Sequence, residues 1–261
     1  MIRSIGTLLG AAAAAAIAVS MTASPARATS LTVSPMVAEL HLTPGSPDRV
    51  DIQVVNGGAV PERVTITPLD WTSRSDGSLE IEKPGTDPNS LTRYISTPVW
   101  HFTLRGGERR TVPLDVAAPA LRPTASLWGG VLMKATAPDS PTTALGPATT
   151  VLLYADIGRP RRHLRIDALR LVPTGNGGGI VMARLRNDGD AYVRAGGRII
   201  VSQAGRVLYD HEIAVGAIFP QRVRLLQQRI GGLVRGAPAD VTLQVDFGAD
   251  VLLDGETRAT P

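Results

Sequence analysis

Apolar and polar side chains exchange places every second residue along most of this chain. Val50-Asp51-Ile52-Gln53-Val54 and Val64-Thr65-Ile66-Thr67 are two of many such runs, and a period of two belongs to strands with one buried face. Residues 31–33 and 37–42 share the pattern with Ser34-Pro35 between them, which predicts an edge strand with a switch in its middle. Further strands are expected at 69–71, 79–81, 99–104, 111–116, 127–135 and 150–157. A second series is expected at 163–172, 180–186, 192–203, 207–213, 223–230 and 241–247. Asn56-Gly57-Gly58, Asp76-Gly77, 175–179, Asp188-Gly189, Ala204-Gly205 and Gly231-Gly232 punctuate these runs as turns. No segment shows a helical period with caps. The pattern predicts an all-β chain of two immunoglobulin-like β-sandwich domains in tandem, 29–158 and 159–261, meeting near Gly158-Arg159-Pro160. Residues 137–149, polar and proline-rich, are expected to form a loop.

Residues 1–28 read as a secretory signal. Arg3 is a short positive start, 5–19 an alanine-rich apolar stretch, and Ala26-Arg27-Ala28 a small-residue cleavage site. Cleavage after Ala28 starts the mature chain at Thr29; the other reading of the same stretch is a retained anchor, for which it is only weakly hydrophobic. No later segment is apolar enough to span a membrane. Export to a bacterial periplasm or cell surface is expected.

Composition narrows the chemistry. There is no cysteine, hence no disulfide framework, thiol nucleophile or cysteine zinc site. Aromatics are only 4%, so the cores rest on Val, Leu, Ile and Ala. All but two of the 27 basic residues are arginine, and the second half of the chain holds the basic excess while the first is net acidic. Codon bias explains this as well as attraction to anionic partners does. Nucleic acid is not expected, because the basic residues are not interleaved with aromatics.

His41, His101, His163 and His211 lack metal-ligand spacing, and Asp210-His211-Glu212 on a strand points to alternate faces. Glu80 and Glu82 read as a solvated face, and the glycines at 175–179 lack the lysine of a phosphate loop. No catalytic residue, metal or cofactor is expected, and the chain is not read as an enzyme.

An ordered set of short motifs carries a resemblance: Leu31-Thr-Val-Ser-Pro35, Asp51-Ile-Gln-Val-Val-Asn56, Asp76-Gly77, Ile95-Ser-Thr-Pro98, Leu104-Arg-Gly-Gly107 and Arg110-Thr-Val112. With Arg184-Leu-Arg-Asn187-Asp-Gly189 in the second half, the chain resembles the PapD-like periplasmic chaperones of pilus and fimbria assembly. The resemblance implies a noncatalytic chaperone that lends an edge strand to a subunit with an incomplete β-sandwich. An outer-membrane usher is a further implied partner. The family's cleft arginine falls at Val37 and its cleft lysine near Ala155, so the cationic pair that holds a subunit's carboxylate is not matched.

Candidate partner-binding residues are Val151, Leu153, Ala155 and Ile157, which alternate on one face, and Arg159, Arg161 and Arg162 at the junction. For the first four the other reading is core of the first domain; for the arginines, a solvated linker. Trp71 and Trp128 are expected to pack in the first sandwich. The alternative function is an envelope-binding or structural scaffold of the same fold, adhesin-like or peptidoglycan-contacting, without subunit transfer.

Overall fold

The computed structural model describes residues 30–117, 119, 124–141, 145–248 and 252–260. The expected leader and part of the 137–149 loop lie outside them.

The strands in chain order are β1 (Leu31–Ser34), β2 (Val37–Leu42), β3 (Pro47–Asn56), β4 (Glu62–Ser73), β5 (Leu79–Glu82), β6 (Ile95–Ser96), β7 (His101–Leu104), β8 (Arg109–Ala117), β9 (Ala125–Thr136), β10 (Ala148–Ile157), β11 (Leu164–Gly175), β12 (Gly178–Asn187), β13 (Val193–Gln203), β14 (Arg206–Ile218), β15 (Val223–Ile230), β16 (Ala239–Asp246) and β17 (Leu253–Ala259). One 3-10 turn, Thr92–Tyr94, precedes β6. The chain is all β, arranged as two sandwiches.

In the first sandwich a sheet of order β1-β3-β8-β6 faces a sheet of order β2-β10-β9-β4-β5, with β7 also paired to β4. The interruption at Ser34-Pro35 does what the pattern predicts. Before it, β1 pairs antiparallel with β3; after it, β2 crosses to the other sheet and pairs parallel with β10. The core between the sheets includes Ile52, Val54, Val64, Leu104, Leu114, Leu127, Met133 and Leu153, each at or near complete burial.

In the second sandwich β11-β12-β15 faces β14-β13-β16-β17. Its core draws Val181, Leu185, Ile199, Val201, Val241, Leu243 and Val245 from both sheets. No strand pairing joins the two sandwiches among the described residues; residues 158–163 connect them.

One device occurs in both halves. Asn56 ends β3 and is fully buried; its Nδ2 donates to the carbonyls of Val60 (2.7 Å) and Leu104 (3.3 Å), and its Oδ1 accepts the Gly58 N–H. Asn187 ends β12 and is equally buried; its Nδ2 donates to Ala191 and Ile218, both at 2.8 Å, and its Oδ1 accepts the Gly189 N–H. The backbones match too. Asn56 bonds to Gly107 and Glu108, and Asn187 to Gln221 and Arg222, the residues that lead into the next paired strand. A buried amide is thereby satisfied at a loop crossing, where the ladder has run out and carbonyls would stay unpaired.

Two expectations change. Residues 64–67 and 69–71 are one strand, because Pro68 sits in a pairing position opposite Val131 without ending β4. β17 was not expected: Leu253-Asp-Gly-Glu-Thr-Arg-Ala259 is too polar to show a buried face, and it is held by its ladder to β16 at the sheet margin.

Candidate partner-binding site

The two sandwiches meet through aromatic rings. Trp71 of β4, Trp128 of β9 and Tyr154 of β10 come from the first; Tyr192 and Phe219 come from the second, and all five are nearly fully buried. Trp71 packs edge-on to Phe219 (centroids 5.0 Å) and to Tyr154 (5.6 Å), Trp128 lies 4.5 Å from Phe219, and Tyr154 lies 4.5 Å from Tyr192. The Trp71 indole N–H donates to the Gly129 carbonyl at 3.1 Å. Thus Trp71 and Trp128 do not pack in the first core as expected. On β4 and β9 they occupy the phase that leaves the sandwich, and the second half supplies the surface that buries them. Burial pushes the Tyr154 phenol up to about 12 and raises that of Tyr192 as well.

Polar contacts surround the rings. Asp156, almost fully buried on β10, pairs with Arg162, whose guanidinium lies over the Tyr192 ring. Arg194 of β13 pairs with Glu39 of β2 and lies over Tyr154. The tip of the β4–β5 hairpin docks on the second sandwich: Leu225 N–H donates to the Ser75 carbonyl (2.7 Å), and Ser73 Oγ donates to the Ala217 carbonyl (3.1 Å).

Between the sandwiches lies a cavity of about 410 Å³. Val37, Leu152 and Tyr154 line it from the first half, Arg194, Gly216 and Arg224 from the second, and Trp71 and Gly77 lie along its wall. Arg224, on β15, is only 5% exposed. Its Nη2 donates to the Ala217 carbonyl at 2.9 Å, while its Nε is buried without a partner among the described residues. Burial pulls its pKa down from the ordinary guanidinium value, and the charge of Asp76 opposes that. Gly77 is required twice over. Its φ of +96° suits the hairpin turn, and a Cβ there would lie 2.0 Å from Arg224 Nη1. Arg224 thus brings a buried guanidinium, an ordinary anchor for a carboxylate, to the lining of the cavity.

The cavity opens beside a sheet margin. β2 pairs with β10 only from Leu152 to Ile157, whereas β10 begins at Ala148 and pairs with β9 along its whole length. Ala148–Val151 therefore has one unpaired edge among the described residues. The Leu152 N–H donates to Met36 at 2.9 Å on the β2 side, and by alternation the N–H groups of Thr150 and Ala148 face the same way, into the open. A strand laid there parallel to β10 runs in line with β2 and ends beside Val37, at the cavity.

The expected site residues divide. Val151, Leu153, Ala155 and Ile157 are fully buried in the first core; their side chains cannot reach a partner, so those four are corrected to core. Ala155 does not face the cavity, whose β10 lining is Leu152 and Tyr154 of the opposite phase, while Val37 does line it. Arg161 is spent on the junction: its Nη2 donates to the Asp188 carbonyl at 2.8 Å and its backbone N–H to the Asp190 carboxylate. Arg162 is committed to Asp156. Arg159 is exposed.

Arg194 and Arg224 were missed, since an arginine on a strand gives no sign in sequence that it faces a cleft. The histidines are dispersed, and among the described residues no three His, Cys, Asp or Glu side chains gather as a metal site. Asp210 is taken up by a two-pronged pair with Arg198 (2.6 and 2.8 Å). No helix of the described residues is long and apolar enough to cross a membrane.

No protein-family model matches the chain, and no curated protein matches it in sequence. Solved structures are similar to it over most of their length. One, from a chaperone–tip adhesin complex of CFA/I fimbriae biogenesis, is 12% identical over 89% of this chain and 99% of that one, with a TM-score of 0.47. The CupB2 chaperone of Pseudomonas aeruginosa is 10% identical over 88% and 100%, TM-score 0.43. A chain from the Salmonella enterica SafA pilin–SafB chaperone complex is 14% identical over 87% and 96%, TM-score 0.40. The chain is thus similar to structures of fimbrial chaperones and their complexes, the group its sequence motifs resemble.

Proposed function

We propose that this chain is a noncatalytic, exported chaperone, built of domains 29–158 and 159–261, that captures a β-rich pilus- or fimbria-type subunit by edge-strand pairing. The observation that carries the reading is the open edge at Ala148–Val151 leading into the cleft that holds Arg224. A subunit strand added parallel to β10 would use main-chain hydrogen bonds for affinity. Its carboxyl end would arrive where Arg194 and the partly unsatisfied guanidinium of Arg224 lie, so these two stand in for the cationic pair missing at Val37 and Ala155. Recognition then rests on backbone, the buried Arg224 and the exposed Arg194, with Val151, Leu153, Ala155 and Ile157 of β10 kept for the core. An outer-membrane usher would be a second partner, met after capture.

Co-purification from periplasm tests this. The expected result is a stoichiometric small β-rich subunit whose capture falls at least about tenfold with Arg224→Met. Recovery of monomer alone, with retention on purified peptidoglycan, would sink it and favour an envelope scaffold.

A further inference from the structure

The two outer faces of the second sandwich carry opposite charge. Registers across β11, β12 and β15 set Arg165 beside Arg186, Arg184 beside Leu225, Arg170 beside Met182 and Ile180 beside Arg229. All lie in the phase opposite to the core residues Val181, Ala183 and Leu185, so five arginines share one face. The bulge between Ile166 and Ala168 adds the one carboxylate on it among the described residues, Asp167. Arg165 (3.3 Å), Arg184 (3.6 Å) and Arg186 (2.9 Å) all turn to that group, while no carboxylate pairs with Arg170 or Arg229 among the described residues. Beside Arg170 lies a groove of about 230 Å³ lined by Met182 and Leu225, both exposed.

The opposite sheet is the complement. In the outward phase Arg198 of β13 sits between Glu212 of β14 and Gln244 of β16, with Asp254 of β17 next in the row; Ile200 sits beside Asp210, and Thr242 beside Glu256. Asp240 and Asp246 continue the same face. Its arginines are already engaged: Arg198 by Asp210, Arg258 by Asp240, and Arg194, at the cleft end, by Glu39. Glu212, Asp246, Asp254 and Glu256 pair with no cation among the described residues. A hollow of about 280 Å³ lies over Gly196, where a Cβ would meet nothing within 4 Å; Glu212 and Asp246 line it, together with the exposed Leu252.

We propose that these faces bind each other between copies of this chain, the basic face of one stacking on the acidic face of the next. The guanidinium of Arg170 enters the hollow between Glu212 and Asp246, which offer carboxylates to both sides of its fork. Leu252, beside that hollow, covers the apolar groove beside Arg170. A second copy is the occupant because each face supplies the charges the other lacks, and each holds charged groups left without partners. The contact joins unlike surfaces, so a pair keeps one free basic face and one free acidic face. Strand and row spacings give each face roughly 300–400 Å², at most half of one side of a standard interface. The association is therefore weak, electrostatic and confined to high local concentration. Neither face includes a residue of β10, and the inference goes beyond subunit capture without resting on it.

Sedimentation equilibrium of the protein purified from periplasm tests this, over about 10–300 µM protein in about 0.05 M and about 0.5 M salt. At the lower salt the average mass should rise with concentration; at the higher, where screening acts within about 5 Å, it should fall toward that of the monomer. Arg170→Gln with Arg229→Gln should weaken association at least about tenfold, and Glu212→Gln with Asp254→Asn should do the same. All four side chains are exposed, so both variants should keep the parental urea midpoint. Each variant retains one intact face. Mixing the two should therefore restore association at parental strength and stop it at a heterodimer. Monomer at every concentration and salt would overturn the proposal, and so would a mixture no more associated than its components. Binding to phosphatidylglycerol vesicles that the Arg170→Gln, Arg229→Gln variant loses, without self-association of the parent, would overturn it in favour of an anionic lipid surface.

Discussion

Removing one ring tests how the two sandwiches are coupled. Phe219 is 1% exposed and belongs to the second half, yet its two ring contacts are with Trp71 and Trp128 of the first. Truncating a buried phenylalanine to alanine costs about 3–5 kcal/mol, of which about 1–3 kcal/mol comes from two aromatic pairs. For a chain of this size that is roughly 6–20 °C in melting temperature. The location of the loss matters more than its size. Because both contacts cross the junction, Phe219→Ala weakens the coupling of the sandwiches, which Tyr154–Tyr192 and the Ser75–Leu225 bond then carry with fewer contacts, so scanning calorimetry should show a transition broader than the parent's or split in two. Val241→Ala, which empties space inside the second core, is the control: it should lower the transition temperature by a similar amount without splitting the halves in the same way. A Phe219→Ala scan with one transition within about 2 °C of the parent would refute the idea that the rings couple the halves.

Other consequences are as direct. Asn187→Ala leaves the Ala191 and Ile218 carbonyls buried without donors, so unfolding should ease by about 2–4 kcal/mol, and Asn56→Ala should match it in the first half; urea midpoints measure both. Thr150→Pro deletes an N–H that faces the open edge and no bond to β9, so the melting temperature should hold while subunit capture is lost; capture at parental level would place the partner elsewhere. Alkaline titration should unfold the chain through its junction. The raised phenol pKa values of Tyr154 and Tyr192 mean stability present below the ordinary value of 10, and lost as pH climbs through about 12. Replacing both by Phe should remove the latest-ionising tyrosines from the absorbance titration.

Much of this fold can be read before any coordinates. Alternation locates the strands because each sheet has one wet face, and the switch at Ser34-Pro35 is legible because it interrupts an alternating run. Ala204-Gly205 reads as a hairpin tip, and both residues do take positive φ. What escapes is whatever depends on the meeting of the halves. Trp71 and Trp128 alternate like core residues, and nothing local distinguishes burial under one's own sheet from burial under a neighbour. The same ambiguity hides Arg224, whose depth comes from Gly77 and Gly216 on other elements. On β10 the error runs the other way. Val151, Leu153, Ala155 and Ile157 are the visible apolar set, but the edge left open is the main chain preceding β2's pairing, which carries no side-chain signature.

Amide hydrogen exchange on the captured complex tests the central claim most directly. If a subunit strand adds to β10, the Ala148 and Thr150 amides should change from fast exchange in the free protein to strong protection in the complex. Thr149 and Val151, already bonded to β9, should change little. Equal exchange at Ala148 and Thr150 with and without a bound subunit would contradict the account.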